Sequence, residues 1–394
     1  MDKRQVIVVG GGVGGSSAAF HLAKEGLGVL MLEKDQFPRD KPCGDGILGM
    51  LFPLLEEMGI ADEIRANGFR TTGATRFYTG EEDYYRSPPS KPDEIPMYSV
   101  PRYKFDDIVN KAAVRSGIDY VENFEVTDLL MSRGKVRGVR GIHNGKTVEI
   151  ESDLVVLASG SHFMPERRLG FYEEDPDYVF YGLRGYFDNI GNMEDIEFFY
   201  PDNFMPTGYI WIFPVSKTMG NVGVFITETA LKKTGMTTEE LLWDWSKNTK
   251  YGRERLGNAT LAGKLKGWRL PTGMRQPIYA DGVIAVGDAG NMIEEFGGGG
   301  IPQAMIAGTV AAKMARMAVD ANDFSKDFLK QYGGMIDQAI GPFMQGMKLM
   351  RDYGASTPEQ LRDLVEYMNA NPQADTAAYL VQKAGMQAAA GSNQ

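Results

Sequence analysis

Gln5-Val6-Ile7-Val8-Val9-Gly10-Gly11-Gly12-Val13-Gly14-Gly15, a helical run after it, and then Val29-Leu30-Met31-Leu32-Glu33 decide the fold. Val6 to Val9 is a short apolar run rich in β-branched residues, as in a parallel strand buried on both faces. Gly10, Gly12 and Gly15 have the G-x-G-x-x-G spacing, with Gly14 inside it. The first glycine permits a tight turn, the second lets the backbone approach a pyrophosphate, and the third lets the helix pack closely on the strand. Free N–H groups at that helix N-terminus favour a diphosphate. Ala19, Leu22 and Ala23 share one helical face, and Gly26 suits a C-cap. The second strand ends at Glu33, 18 residues after Gly15, where an acid accepts hydrogen bonds from an adenosine ribose. Lys34 adjoins it as a second cofactor candidate. Together these features predict a Rossmann-like, dinucleotide-binding α/β domain.

Composition narrows the class. The 394 residues allow two or three domains' worth of core, and 43% hydrophobic with 24% charged residues is ordinary for a globular protein. A net charge of -10 argues against nucleic acid and against an anionic membrane held by charge alone. One cysteine and three scattered histidines (His21, His143, His162) provide neither a disulfide framework nor a metal-ligand cluster. A reducing cytoplasm fits. The chain enters its first strand almost directly, without a signal peptide, and has no apolar run long enough for a membrane span. The 22 methionines suit an irregular apolar ligand or serve as core filler.

Farther along, Lys34 to Ile47 reads as a loop, with short helices near 50–58 and 61–67 and a strand near 74–77. Residues 81–96 form a polar, Pro-rich surface loop or hairpin. A helix opens at Pro101-Arg102 and stops at Gly117. Residues 119–125, 127–132, 135–143 and 147–150 read as short strands, with a hairpin turn at Asn144-Gly145. Asp153-Leu154-Val155-Val156-Leu157-Ala158-Ser159-Gly160 is a third buried parallel strand, and Ala158 and Gly160 at its end are cofactor candidates. The texture then changes. Residues 178–187, 196–200, 208–213 and 221–227 alternate with aromatics, predicting an antiparallel sheet in a second domain, with a helix over 238–247 and a return strand over 261–268. Gly282 to Asp288 brings the chain back as a fourth parallel strand. A long helix over 300–319 and a helical C-terminal part follow, with Thr357-Pro358 as a helix start and a frayed end over 388–394.

Gly287-Asp288 is the second anchor. A carboxylate at the end of a buried parallel strand accepts hydrogen bonds from ribityl hydroxyls, which points to FAD rather than NAD. Downstream, Phe296-Gly297-Gly298-Gly299-Gly300-Ile301 opens the long helix. Its glycines let backbone lie against a flat ligand, and N–H groups from Gly298 to Ile301 can stabilise negative charge on a reduced flavin.

These features, with Arg102, Phe105 and Asp106 in an Arg-x-x-Phe-Asp element, resemble the FAD-dependent fold of para-hydroxybenzoate hydroxylase and its relatives. Lys41-Pro42-Cys43-Gly44-Asp45-Gly46-Ile47 is similar to the Pro-x-Cys-Gly-x-Gly segment of geranylgeranyl reductases. Tyr209-Ile210-Trp211-Ile212-Phe213-Pro214 is similar to their Tyr-x-Trp-x-Phe-Pro motif. The resemblance covers about residues 5–319. It implies an α/β fold in which a discontinuous FAD-binding domain (1–75, 100–165, 270–320) carries an antiparallel-sheet substrate domain (76–99, 166–269), followed by a helical C-terminal segment (321–394). It also implies an FAD enzyme that reduces carbon–carbon double bonds of isoprenoid chains, with Cys43, Gly44 and Arg102 near the flavin.

With period two, Tyr209, Trp211 and Phe213 share one face of their strand, and Ile210 and Ile212 the other. An aromatic face at a domain junction suits a long apolar substrate or is ordinary sheet core. Alkene reduction needs a hydride and a proton. Cys43, Tyr209 or a bound water can supply the proton, and Trp211 belongs to the same catalytic wall. Where relatives usually have Asn-Pro after Gly-Asp, this chain has Glu294-Glu295. Buried, Glu295 is a proton donor; exposed, a solvated loop acid. The end of the third strand, through Ser161 and His162, also lacks a usual aspartate. No second G-x-G-x-x-G unit is present, so electrons come from a transiently bound reduced nicotinamide or a ferredoxin-like donor. Residues 335–350 are Met-rich and can line a lipid tunnel, touch a membrane surface peripherally, or pack on their own domain. Two other classes compete: a flavin monooxygenase or halogenase, whose Gly-Trp-x-Trp-x-Ile-Pro motif is close to residues 208–214, and a non-catalytic flavin redox sensor.

Overall fold

The computed structural model describes residues 3–80, 83–88, 94–161, 168–171, 175–191, 193–204, 207–275, 277–371 and 376–391. His162, residues 81–82 and 89–93 of the polar loop, and residues 392–394 of the tail lie outside them. Strand Arg4–Val9 sits in the middle of the first sheet, with Val29–Leu32 and then Asp119–Val121 on one side and Lys146–Leu157 and then Val283–Ala285 on the other. Those four pairings are all parallel. Val6, Ile7, Val8, Leu154, Val155 and Val156 are wholly buried, as apolar runs covered on both faces must be. Helix Ile301–Ala321 crosses helix Val13–Lys24 so closely that a Cβ at Gly308 would lie 2.6 Å from the Ala18 nitrogen. Ser17 Oγ bonds the Met305 carbonyl across the crossing at 2.7 Å.

Two strands read as separate from sequence are one. Lys146–Leu157 runs for 12 residues. Its first half pairs antiparallel with Lys135–His143 and its second half parallel with Arg4–Val9. Conversely, residues 119–125 divide into two elements, because Asn123 adopts positive φ between Asp119–Val121 and Phe124–Ser132.

The second sheet has the order Thr260–Pro271, Val179–Asp188, Gly220–Thr227, Gly208–Pro214, Ile196–Tyr200, Thr75–Thr79, Asp83–Arg86. Its pairs are antiparallel apart from Ile196–Tyr200 beside Thr75–Thr79, which is parallel. Ile210 and Ile212 pack with Leu241, Leu242 and Trp245 beneath helix Thr238–Asn248, whose start is fixed by a Thr237–Glu240 capping box. Tyr209 and Trp211 face the other way, with Phe180, Tyr200, Phe225 and Phe296. The period-two alternation thus sorts aliphatic from aromatic residues onto opposite faces. A small third sheet joins Gly46–Ile47, Met97–Ser99 and Arg70–Thr72. Helix Lys326–Leu349 returns to the first sheet, where the Tyr332 hydroxyl donates to the Ala285 carbonyl at 2.7 Å.

Candidate active site

The fingerprint is built as its glycines require. Gly10 has φ of +100°, and a Cβ there would collide with the Ala158 carbonyl; one on Gly15 would collide with the Gly10 carbonyl. Helix Val13–Lys24 starts without a side-chain cap, so its first N–H groups stay available to a ligand. Glu33 is buried behind the turn. Its Oε2 accepts Gly11 N–H at 2.7 Å and its Oε1 accepts Asp35 N–H at 2.9 Å.

A cavity of about 400 Å³ begins at Gly12 and Gly14, passes Asp288, and ends on Phe77, Phe198, Tyr209, Trp211, Phe213 and Phe225. Cys43–Gly44, Arg102, Ala158, Gly160, Gly287 and residues 298–301 also line it. Gly10, Gly15, Glu33 and the exposed Lys34 do not line it. Lys41 Nζ donates to Asp288 Oδ2 at 2.8 Å.

The Cys43 segment is held by a polar network. Asn221 Nδ2 donates to the Cys43 carbonyl at 2.7 Å and to Asp45 Oδ2 at 2.8 Å, while its Oδ1 accepts the Trp211 indole N–H at 2.9 Å. Asp45 has φ of +70° and also accepts the Tyr186 hydroxyl at 2.6 Å and the Arg102 N–H at 3.2 Å. Burial pushes its carboxyl up to about 6, against the opposing pull of Tyr186 and Asn221. Arg102 makes a bidentate pair with Asp106 at 2.5 and 2.8 Å, and Arg102 and Cys43 line the same cavity. The Tyr209 hydroxyl donates to the Gly297 carbonyl at 2.5 Å, and burial drives its pKa well above the ordinary tyrosine value.

The two loop acids take different places. Glu295 is buried, and burial raises its pKa, yet it does not line the cavity. Its Oε2 lies 3.7 Å from Arg351 Nη1. Glu294 is the acid that lines the cavity. Its Oε2 accepts Phe296 N–H at 2.8 Å and Gly297 N–H at 2.9 Å, and its Oε1 accepts Gly299 N–H at 2.7 Å. Three of the loop amides therefore serve a carboxylate of their own chain.

Sequence reasoning passed over Lys41, Asp45, Arg184, Asn221 and Glu294. Two of them carried a signal. Asn221 lies in Gly-Asn-Val-Gly-Val-Phe-Ile-Thr and Arg184 in the interior of Val-Phe-Tyr-Gly-Leu-Arg-Gly-Tyr-Phe-Asp, each a strongly polar side chain among residues otherwise fit for the core. Such a residue needs a buried partner. Asn221 has the Cys43 loop; Arg184 Nη2 has Asp40 at 2.7 Å.

These residues fit an FAD. The uncapped helix end and close-packed glycines suit its diphosphate, Glu33 stands at the strand end, Asp288 lines the cavity, and residues 298–301 supply flat backbone beside it. Comparisons with known proteins agree. A family model described as an FAD binding domain matches residues 3–334. A digeranylgeranylglycerophospholipid reductase from Thermoplasma acidophilum is 28% identical over 86% of this chain and 84% of its own. A 1H-pyrrole-2-carbonyl-(peptidyl-carrier protein) chlorinase from Pseudomonas fluorescens is also 28% identical, over 85% of this chain and 80% of its own. The crystal structure of a geranylgeranyl bacteriochlorophyll reductase-like protein from Thermoplasma acidophilum superposes with a TM-score of 0.85 at 24% identity, covering 97% of this chain and 96% of the other.

Proposed function

The chain belongs to the FAD-binding-domain family, and from that membership we propose that this FAD-dependent oxidoreductase reduces carbon–carbon double bonds of a long, isoprenoid-like apolar substrate. The observation that carries the reading is the cavity itself, which leads from the cofactor fingerprint to a wall of aromatic side chains. Phe343 and Met347 of helix Lys326–Leu349 complete that wall. Such a surface gains from burying an apolar chain and offers few hydrogen bonds to a polar one.

Bound and reduced, FAD supplies a hydride; the chain must supply a proton, orient the alkene and keep water out. Of the candidate donors on the wall, Cys43 is better placed than Tyr209. Cys43 and the Arg102 guanidinium both line the cavity, and no hydrogen bond from the thiol to another group competes for its proton among the described residues. Tyr209 already donates its proton to the Gly297 carbonyl, and burial opposes its ionisation. Tyr209 therefore orients the loop, and Trp211, tethered through Asn221, presents a fixed apolar face. The relatives named as digeranylgeranylglycerophospholipid reductases support the reductase reading.

A second reading is oxygen-dependent halogenation, favoured by a chlorinase relative of equal identity. Anaerobic single turnover separates the two. The reduced holoenzyme is mixed with geranylgeranyl lipids and prenyl quinones. Cofactor reoxidation without oxygen, with a product two hydrogens heavier, is the expected result. A cofactor that stays reduced until air and halide are admitted, and then halogenates an aromatic acceptor, would overturn it.

A further inference from the structure

We propose that Glu294 is a positioning residue that fixes the glycine loop beside the cofactor and holds a negative charge there, lowering the cofactor's reduction potential. The geometry is specific. Three backbone N–H groups, from Phe296, Gly297 and Gly299, converge on the two carboxylate oxygens at 2.7–2.9 Å. The Glu294 N–H closes the turn on the Gly299 carbonyl at 2.9 Å. Both oxygens act as acceptors, which suits the ionised acid and not an amide. Among the described residues Glu294 forms no ion pair, unlike Glu295 with Arg351. The side chain is 3% exposed.

The cations near the loop serve other acids, Lys41 on Asp288 and Arg351 on Glu295. The Tyr200 and Tyr209 hydroxyls face it from the aromatic sheet, and Glu295 follows it in the loop. Asp288 lies across Gly300, with Lys41 as its partner. Burial raises the Glu294 pKa although three N–H groups oppose that shift. A cofactor that gains electrons beside this uncompensated charge is harder to reduce and, once reduced, a stronger hydride donor. The Gly299 amide, one of those that would have offset the charge of a reduced cofactor, is turned onto Glu294 instead.

The test is the midpoint potential of FAD bound to the full chain, read spectroelectrochemically without substrate. Its result is therefore independent of the reductase reading. Glu294→Gln removes the charge at constant size, and the potential should shift positive. Glu294→Asp keeps the charge, and its potential should stay near that of the parent. The gap between parent and Glu294→Gln should close as pH falls and Glu294 takes up its proton. Equal potentials for parent and Glu294→Gln at neutral pH, or an equal positive shift in Glu294→Asp, would overturn the proposal. If Glu294→Gln fails to retain FAD, the parent protein alone decides. Its potential-versus-pH curve should bend above the ordinary carboxylate range, and the absence of that bend overturns the proposal.

Discussion

The side-chain amide of Asn221 donates to the backbone carbonyl of Cys43 at 2.7 Å, tying a strand of the aromatic sheet to the loop that carries the chain's one cysteine. The same amide holds Asp45 and receives the Trp211 indole. One side chain thus sets the spacing between apolar wall and thiol. Asn221→Ala leaves a buried carbonyl, a carboxylate oxygen and an indole N–H each short of a partner. An unsatisfied buried group costs about 1–3 kcal/mol. Urea unfolding should show a loss in that range or above, and single turnover should slow while FAD content stays unchanged.

Cys43→Ser tests the proton donor. Losing a general acid costs about 10²- to 10⁴-fold in rate. Cys43→Ser should therefore lower single-turnover reduction by about 10²-fold or more, with the FAD spectrum retained. Tyr209→Phe should slow turnover far less and instead destabilise the protein, because the Gly297 carbonyl loses its donor. A reversed order of effects would make Tyr209 the donor.

Asp45 gives a pH signature. Its carboxyl is raised to about 6 in the fold, above its ordinary value of 3.8, so the folded state prefers the protonated form. The stability this contributes is fully present below the unfolded value and is lost as pH rises through about 6. A shift of that size corresponds to about 3 kcal/mol. Asp45→Asn cannot titrate, and it tolerates the positive φ. Urea unfolding from pH 4 to 7 should show the parent losing stability relative to Asp45→Asn. Parallel curves would mean that Asp45 does not titrate in this window.

Gly15→Ala places a methyl group on the Gly10 carbonyl. Helix and strand must separate, and the fingerprint loses its shape. Purified Gly15→Ala should contain little FAD by absorbance ratio and unfold at a lower temperature than the parent stripped of FAD.

Much of the cofactor half was legible in the sequence because its physics is local. Val6 to Val9, Leu154 to Leu157 and Val283 to Ala285 read as buried strands from their apolar runs, and the fingerprint glycines from their spacing. The alternation of Tyr209, Ile210, Trp211 and Ile212 likewise announced two faces, and they pack as two separate clusters. Which loop acid meets the cavity was not legible. Glu294 and Glu295 are identical in composition, and their orientation is set by the turn around Gly298, whose φ is +67°. Asp45 was quoted only as a spacer between two glycines. Its role depends on Tyr186 and Asn221, which reach it from far along the chain.

Strand Val283–Ala285 reaches the first sheet only by pairing with Lys146–Leu157, and Asp288 follows directly. The two ends of the cofactor cradle are therefore far apart in the chain, with the whole aromatic sheet lying between Gly12 and Asp288. A chain that ends before Val283 has its dinucleotide turn but neither Asp288 nor the glycine loop. On the proposed function, FAD binding requires both ends of that separation, so it requires that the intervening sheet has folded far enough to let the chain return.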